Sequence, residues 1–111
     1  MGIKVLVISS NVALWNYMDE PKIFTYEYIG HIGESFHSEQ IQIRDYKVKQ
    51  FMYIDIGEIT IFSYKQVKYL EKEIEILEKQ KLLSQETLDI IKNAIKVVLE
   101  SKNLYLKFEY D

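Results

Sequence analysis

Residues 62–111 read FSYKQVKYLEKEIEILEKQKLLSQETLDIIKNAIKVVLESKNLYLKFEYD, and this half of the chain decides the fold. Ser63 is followed three residues later by Gln66, the capping-box pattern. In it the serine oxygen accepts from an orphan backbone N–H while the glutamine reaches back to the serine's own amide. Phe62 and Val67 flank this cap at the spacing of a hydrophobic staple. Downstream, Val67, Leu70, Ile74 and Leu77 recur at helical spacing and predict a helix with one buried stripe. Ser84 marks a second helix start, with Leu83 and Leu88 as another staple and Glu86 in the first turn, where the helix dipole favours an acid. The apolar positions that follow (Leu88, Ile90, Ile91, Ala94, Ile95, Val97, Val98 and Leu99) cover more than half of the wheel, so this helix is expected to be deeply buried. Asn103 is the expected stop, after which Leu104, Leu106, Phe108 and Tyr110 alternate with Tyr105, Lys107 and Glu109 as a strand. A connection of only about four residues makes the two helices an antiparallel pair lying on one face of a sheet.

The first half supplies that sheet. Ile3 to Ile8 is a short apolar run, the pattern of a central strand with both faces covered. Asn11 to Pro21 reads as loop, broken at Asp19-Glu20-Pro21. From Lys22 to Ile29 the pattern has period two, with Phe24, Tyr26 and Tyr28 on one face and Thr25 and Glu27 on the other. Gly30 to Ser38 carries two glycines and reads as loop, and Gln40 to Arg44 alternates as a half-exposed strand. Phe51 to Ile56 and Ile59 to Phe62, rich in aromatic and β-branched residues around Gly57, read as two more strands. The fold class is therefore α+β: a mostly antiparallel sheet, an antiparallel helix pair on one face, and a C-terminal strand.

A length of 111 residues fits one domain, 1–111, with a single core and no need of staples. Cysteine is absent, which excludes disulfides, a thiol nucleophile and thiolate zinc sites, and fits a reducing compartment. The run Val5 to Ile8 ends at Ser9-Ser10-Asn11, too short for a signal peptide, and no stretch is long enough to span a bilayer. The expected location is the cytoplasm. Net charge is −3, with neither half forming a basic arm, which argues against non-specific nucleic-acid binding. No cofactor motif is present.

Four groups of residues are candidates for chemistry. His31, Glu34 and His37 are two imidazoles and a carboxylate at equal spacing, but Gly30 and Gly33 disfavour the helix that would align them on a metal. Asp55 and Glu58 with Tyr53 form a carboxylate pair beside a phenol, more simply read as a solvated turn at Gly57. Ser9-Ser10, after the first strand, offers hydroxyls to an anion. Drawn as a wheel, the first predicted helix shows an acidic line of Glu71, Glu75 and Glu78 and a basic line of Lys65, Lys68, Lys72 and Lys79, with Tyr69 and Ile76 facing away from the core. Such segregation suits a partner surface, and nine tyrosines in the chain add rigid amphipathic contacts of the kind that interfaces favour.

In size, acidic charge and mixed α+β content the chain resembles the small immunity proteins that bacteria make against contact-dependent or other polymorphic toxins. The resemblance implies a cytoplasmic, non-enzymatic protein that neutralises a cognate toxin domain by occluding its surface. If so, Glu71, Glu75 and Glu78 would oppose a basic cleft, with Tyr69 and Ile76 as anchors. The alternatives are a small metal-dependent hydrolase built on His31, Glu34 and His37, or a self-associating structural protein. Replacing Ser63 with alanine is expected to cost about 1 kcal/mol in urea unfolding, and an unchanged midpoint would place the helix start elsewhere.

Overall fold

A computed structural model describes residues 2–10, 23–54 and 57–110. Ser63 caps a helix over Tyr64–Lys79 with the reciprocal pair its sequence requires. Ser63 Oγ accepts from Gln66 N at 3.3 Å, and Gln66 Oε1 accepts from Ser63 N at 2.9 Å. Ser84 Oγ likewise accepts from Thr87 N at 3.3 Å to open the next helix. Both staple pairs, Phe62 with Val67 and Leu83 with Leu88, are buried.

In chain order the described elements are β1 (Ile3–Ser10), β2 (Ile23–Ile32), α1 (Ser35–Ile43), α2 (Lys49–Met52), β3 (Ile59–Phe62), α3 (Tyr64–Lys79), α4 (Gln85–Val98) and β4 (Leu104–Tyr110). The strands form one antiparallel sheet in the order β2-β1-β4-β3. α4 lies over β1, β2 and β4, and α3 over β3 and β4, so the helix pair covers one face. Val5, Val7, Leu106 and Phe108 point into that layer and are fully buried. Phe62 and Phe108 meet edge to face there, with ring centroids 5.8 Å apart. This α+β architecture is the one expected from residues 62–111.

The turn between α3 and α4 shows how so short a connection reverses the chain. Lys81 adopts a left-handed φ of 55°. Its N–H bonds to Glu78 O and that of Leu82 to Leu77 O, the paired bonds of a Schellman ending. α4 itself ends at Val98, several residues before the expected stop at Asn103.

β1 is central, as expected, but only its helix-facing side is covered along its whole length, because Lys4 on the other side is exposed and Leu6 half-buried. β2 runs on to Ile32 and carries two register shifts, between the partners of Val5 and Leu6 and between those of Val7 and Ile8. These bulges break the expected alternation, and Thr25, Tyr26, Glu27 and Tyr28 are all exposed. The expected loop at Asn11 to Pro21 lies outside the described residues.

Three expectations for the middle of the chain are corrected. Gly30 belongs to β2, and a Cβ there would stand 3.3 Å from Ile90 of α4, so the glycine serves close helix–sheet approach. Of the expected loop, Ser35 to Ser38 are instead in α1, as are Gln40 to Ile43 of the expected strand, with Arg44 as the helix C-cap. Its buried positions Phe36, Gln40 and Ile43 follow helical spacing, with a glutamine where an apolar residue would have signalled a helix. Gln40 Nε2 is buried because it donates to Phe51 O at 3.3 Å and to Ile54 O at 2.7 Å. The strand expected from Phe51 begins instead inside α2; Val48, Phe51 and Ile54 are buried at intervals of three, while Asp55 and Ile56 lie outside the described residues. Phe51 packs edge to face on Phe36 at 5.3 Å, joining the two short helices.

Glu73 anchors this middle segment. It projects from the buried side of α3, and its carboxylate oxygens accept from Gln50 N at 3.0 Å and Phe51 N at 2.8 Å. Orphan N–H groups at the start of α2 are thereby satisfied by a residue 22 and 23 positions away. Glu73→Ala is expected to lower unfolding stability by about 2–4 kcal/mol, because two N–H groups lose a charged acceptor. Amide exchange at Gln50 and Phe51 should accelerate in the same variant. Unchanged exchange at both positions would show that α2 holds without this contact.

Candidate functional site

The residues singled out on the first long helix divide into two groups once α3 is placed. An α-helix turns roughly 100° per residue, so Glu71, Glu75 and Glu78 lie on the α4 side of the buried stripe. Tyr69 and Ile76 sit roughly 140° further round. The lysines 65, 68, 72 and 79 run between the two groups. Tyr69 is 50% exposed and Ile76 45%. Among the lysines, Lys68 stacks over the Tyr64 ring at 4.9 Å from its centroid.

The acidic group borders a groove of about 320 Å³ between α3 and α4. Ile74 and Ile95, both buried, and half-buried Leu99 supply apolar lining. Glu71, Glu75 and Glu78 stand on one side, and Lys92, Lys96 and Glu100 on the other. Four carboxylates therefore face two ammonium groups, leaving the groove anionic. Lys92 Nζ bonds to Glu78 Oε2 at 2.8 Å. That bond and the Glu78 charge raise the Lys92 pKa above 10.5, with burial opposing and Asp89 and Glu75 adding to the rise. Glu71, Glu75 and Glu100 form no ion pair within 4 Å among the described residues.

Sequence reasoning found the α3 side of this groove and missed the α4 side. The missed signal is Lys92, Lys96 and Glu100 at intervals of four, a polar edge beside the apolar face of α4. Recognising it as the opposite bank requires knowing how the helices are aligned.

The other candidates separate differently. His31 lies in β2 opposite Lys4, Glu34 precedes α1, and His37 is exposed on α1. Glu34 and His37 line a pocket of about 240 Å³ with Phe36 and Tyr110, while His31 is not among its lining residues. Among the described residues no group of three or more His, Cys, Asp or Glu side chains is placed to hold a metal ion. Tyr53 and Glu58 are exposed, and their proposed partner Asp55 lies outside the described residues. Ser9 and Ser10, expected to follow the first strand, are inside it, paired with Phe24 and Ile23 of β2.

A second exposed surface is the sheet face away from the helices. Cross-strand register aligns Tyr28, Leu6, Lys107 and Ile61 in one row, and His31, Lys4, Glu109 and Ile59 in the next. Tyr28, Ile59 and Ile61 are exposed, while Lys107 and Glu109 pair at 3.7 Å.

No helix among the described residues is long and apolar enough to cross a membrane. Comparison with protein-family models, characterised proteins and solved structures returns no match.

The raised Lys92 pKa sets the direction in which its contribution to stability depends on pH. Its contribution to stability is present below the unfolded value of 10.5 and is lost as pH rises through the folded value. In Glu78→Gln the Lys92 ammonium, followed by NMR, should titrate at lower pH than in the parent. An unmoved titration would show that the Glu78 contact does not persist in solution.

Proposed function

We propose that this chain is an immunity protein, a cytoplasmic and non-enzymatic domain that binds a cognate bacterial toxin domain and occludes its working surface. The observation that carries the reading is the grouping of Glu71, Glu75 and Glu78 on a capped, well-packed helix beside an apolar-lined groove. Carboxylates carried on a rigid element need no backbone ordering at encounter, and their charge speeds association with a basic surface and opposes wrong partners. A toxin that works on nucleic acid needs such a basic cleft, and an acidic inhibitor fits it by charge.

The division of α3 narrows the contact. A basic partner seated on the acidic side would meet the lysine line before it reached Tyr69 and Ile76. The anchoring role therefore passes from those two residues to the groove floor, and Tyr69 with Ile76 forms a separate surface. Among the described residues no group of three His, Cys, Asp or Glu side chains is placed to hold the metal that a hydrolytic centre of His31, Glu34 and His37 would require.

Capture with the tagged chain from its native host should yield a toxin domain as the main partner, and co-expression with that domain should restore growth. Glu71→Lys/Glu75→Lys should slow association by about tenfold or more at low salt, whereas Tyr69→Ala/Ile76→Ala should leave affinity essentially unchanged. Absence of growth rescue would overturn the immunity reading. Rescue with an unaltered association rate in the charge-reversed variant would move the contact off α3.

A further inference from the structure

The two ends of the α3–α4 groove differ. The Glu78–Lys92 bridge marks the antiparallel alignment of the helices, in which later residues of α4 lie beside earlier residues of α3. The same alignment sets Glu71 on the groove near Leu99, the C-cap of α4, and Glu100, the residue after it. At the Glu78 end a carboxylate is neutralised by a lysine of the chain itself. At the Glu71 end two carboxylates, Glu71 and Glu100, flank the groove with no ion pair to either among the described residues. The C-terminus of α4 adds the negative end of its helix dipole at that same place. Beneath lie the side chains of Ile95 and Leu99, an apolar strip beside the negative end.

We infer that this end of the groove receives an arginine side chain from the protein partner, with its guanidinium between Glu71 and Glu100 and its aliphatic stem on Leu99 and Ile95. The inference rests on the groove being the docking surface proposed above and names what enters it. Arginine suits the place better than lysine for three reasons. Its planar fork can serve two carboxylates at once, its charge is weakly hydrated and so costs less to bring against an apolar wall, and its three-carbon stem packs on such a wall. An acidic or purely apolar segment would leave Glu71 and Glu100 facing one another without a counter-charge. Of the two groove lysines, Lys92 is drawn to the opposite end by Glu78, and Lys96 forms no ion pair within 4 Å with Glu71 or Glu100 among the described residues.

The test needs no toxin. Acetylated and amidated Leu-Arg-Leu is titrated into the full chain while the methyl groups are followed by NMR, with the citrulline peptide, which keeps the shape and loses the charge, as control. Shifts are expected at the methyls of Ile95, Leu99 and Ile74, with affinity falling as salt is added. Glu71→Gln/Glu100→Gln, which alters only exposed side chains, should keep the parent's thermal midpoint and bind the peptide about tenfold more weakly. The inference is overturned by equal binding of the citrulline peptide, by shifts centred on Ile59 and Ile61 of the sheet face, or by no groove shifts up to about 10 mM peptide. Any of these would leave the capture and growth-rescue experiments unaffected. Conversely, groove binding of the peptide with no rescue would retain the arginine site and remove the immunity reading.

Discussion

The apolar face of α4 laid across the sheet is the contact on which the other elements depend. Leu88, Ile91, Ile95, Val97 and Val98 are all buried there, and at about 1.5–3 kcal/mol each they contribute on the order of 10 kcal/mol. That figure is an upper one, since an unfolded chain already hides part of this surface. Gly30 lets Ile90 approach β2 closely, so the helix sits low over the side of the sheet where β1 and β2 pair. With α4 fixed, the short turn through Lys81 leaves α3 only the neighbouring position over β3 and β4. The groove between the helices is a consequence of that packing.

Polar anchors join buried apolar side chains in holding the segment from α1 to Ile54. Gln40 ties α1 to the carbonyls of Phe51 and Ile54, and Glu73 ties the first amides of α2 to α3. Each of these side chains is buried, and each is stable there because its hydrogen bonds replace those it gave up to water. A four-residue helix has no stability of its own, so α2 exists only as a cap on its neighbours.

The surface follows from the same arrangement. α3 shows three sides to its surroundings: the acids toward α4, the lysines outward, and Tyr69 with Ile76 beyond them. One flat partner cannot meet all three. The acids acquire their meaning from α4, whose Lys92 neutralises one of them while Glu100 reinforces another at the end of the groove.

The capped starts at Ser63 and Ser84, the staples, the buried stripes of both long helices and the strand β4 were determined by the sequence alone. Each is set by residues within a few positions of one another, through backbone capping and a hydrophobic period. The two short helices and the inner bank of the groove were decided by the tertiary structure. Gln40 and Glu73 are polar residues in buried positions, whose acceptors and donors lie 11 to 23 residues away in the chain. Nothing local marks such a partner, and the alternation of Gln40 to Ile43 pointed to a strand. The opposition of Glu71 to Glu100 was equally invisible, because the alignment of two helices depends on how their apolar faces share one sheet.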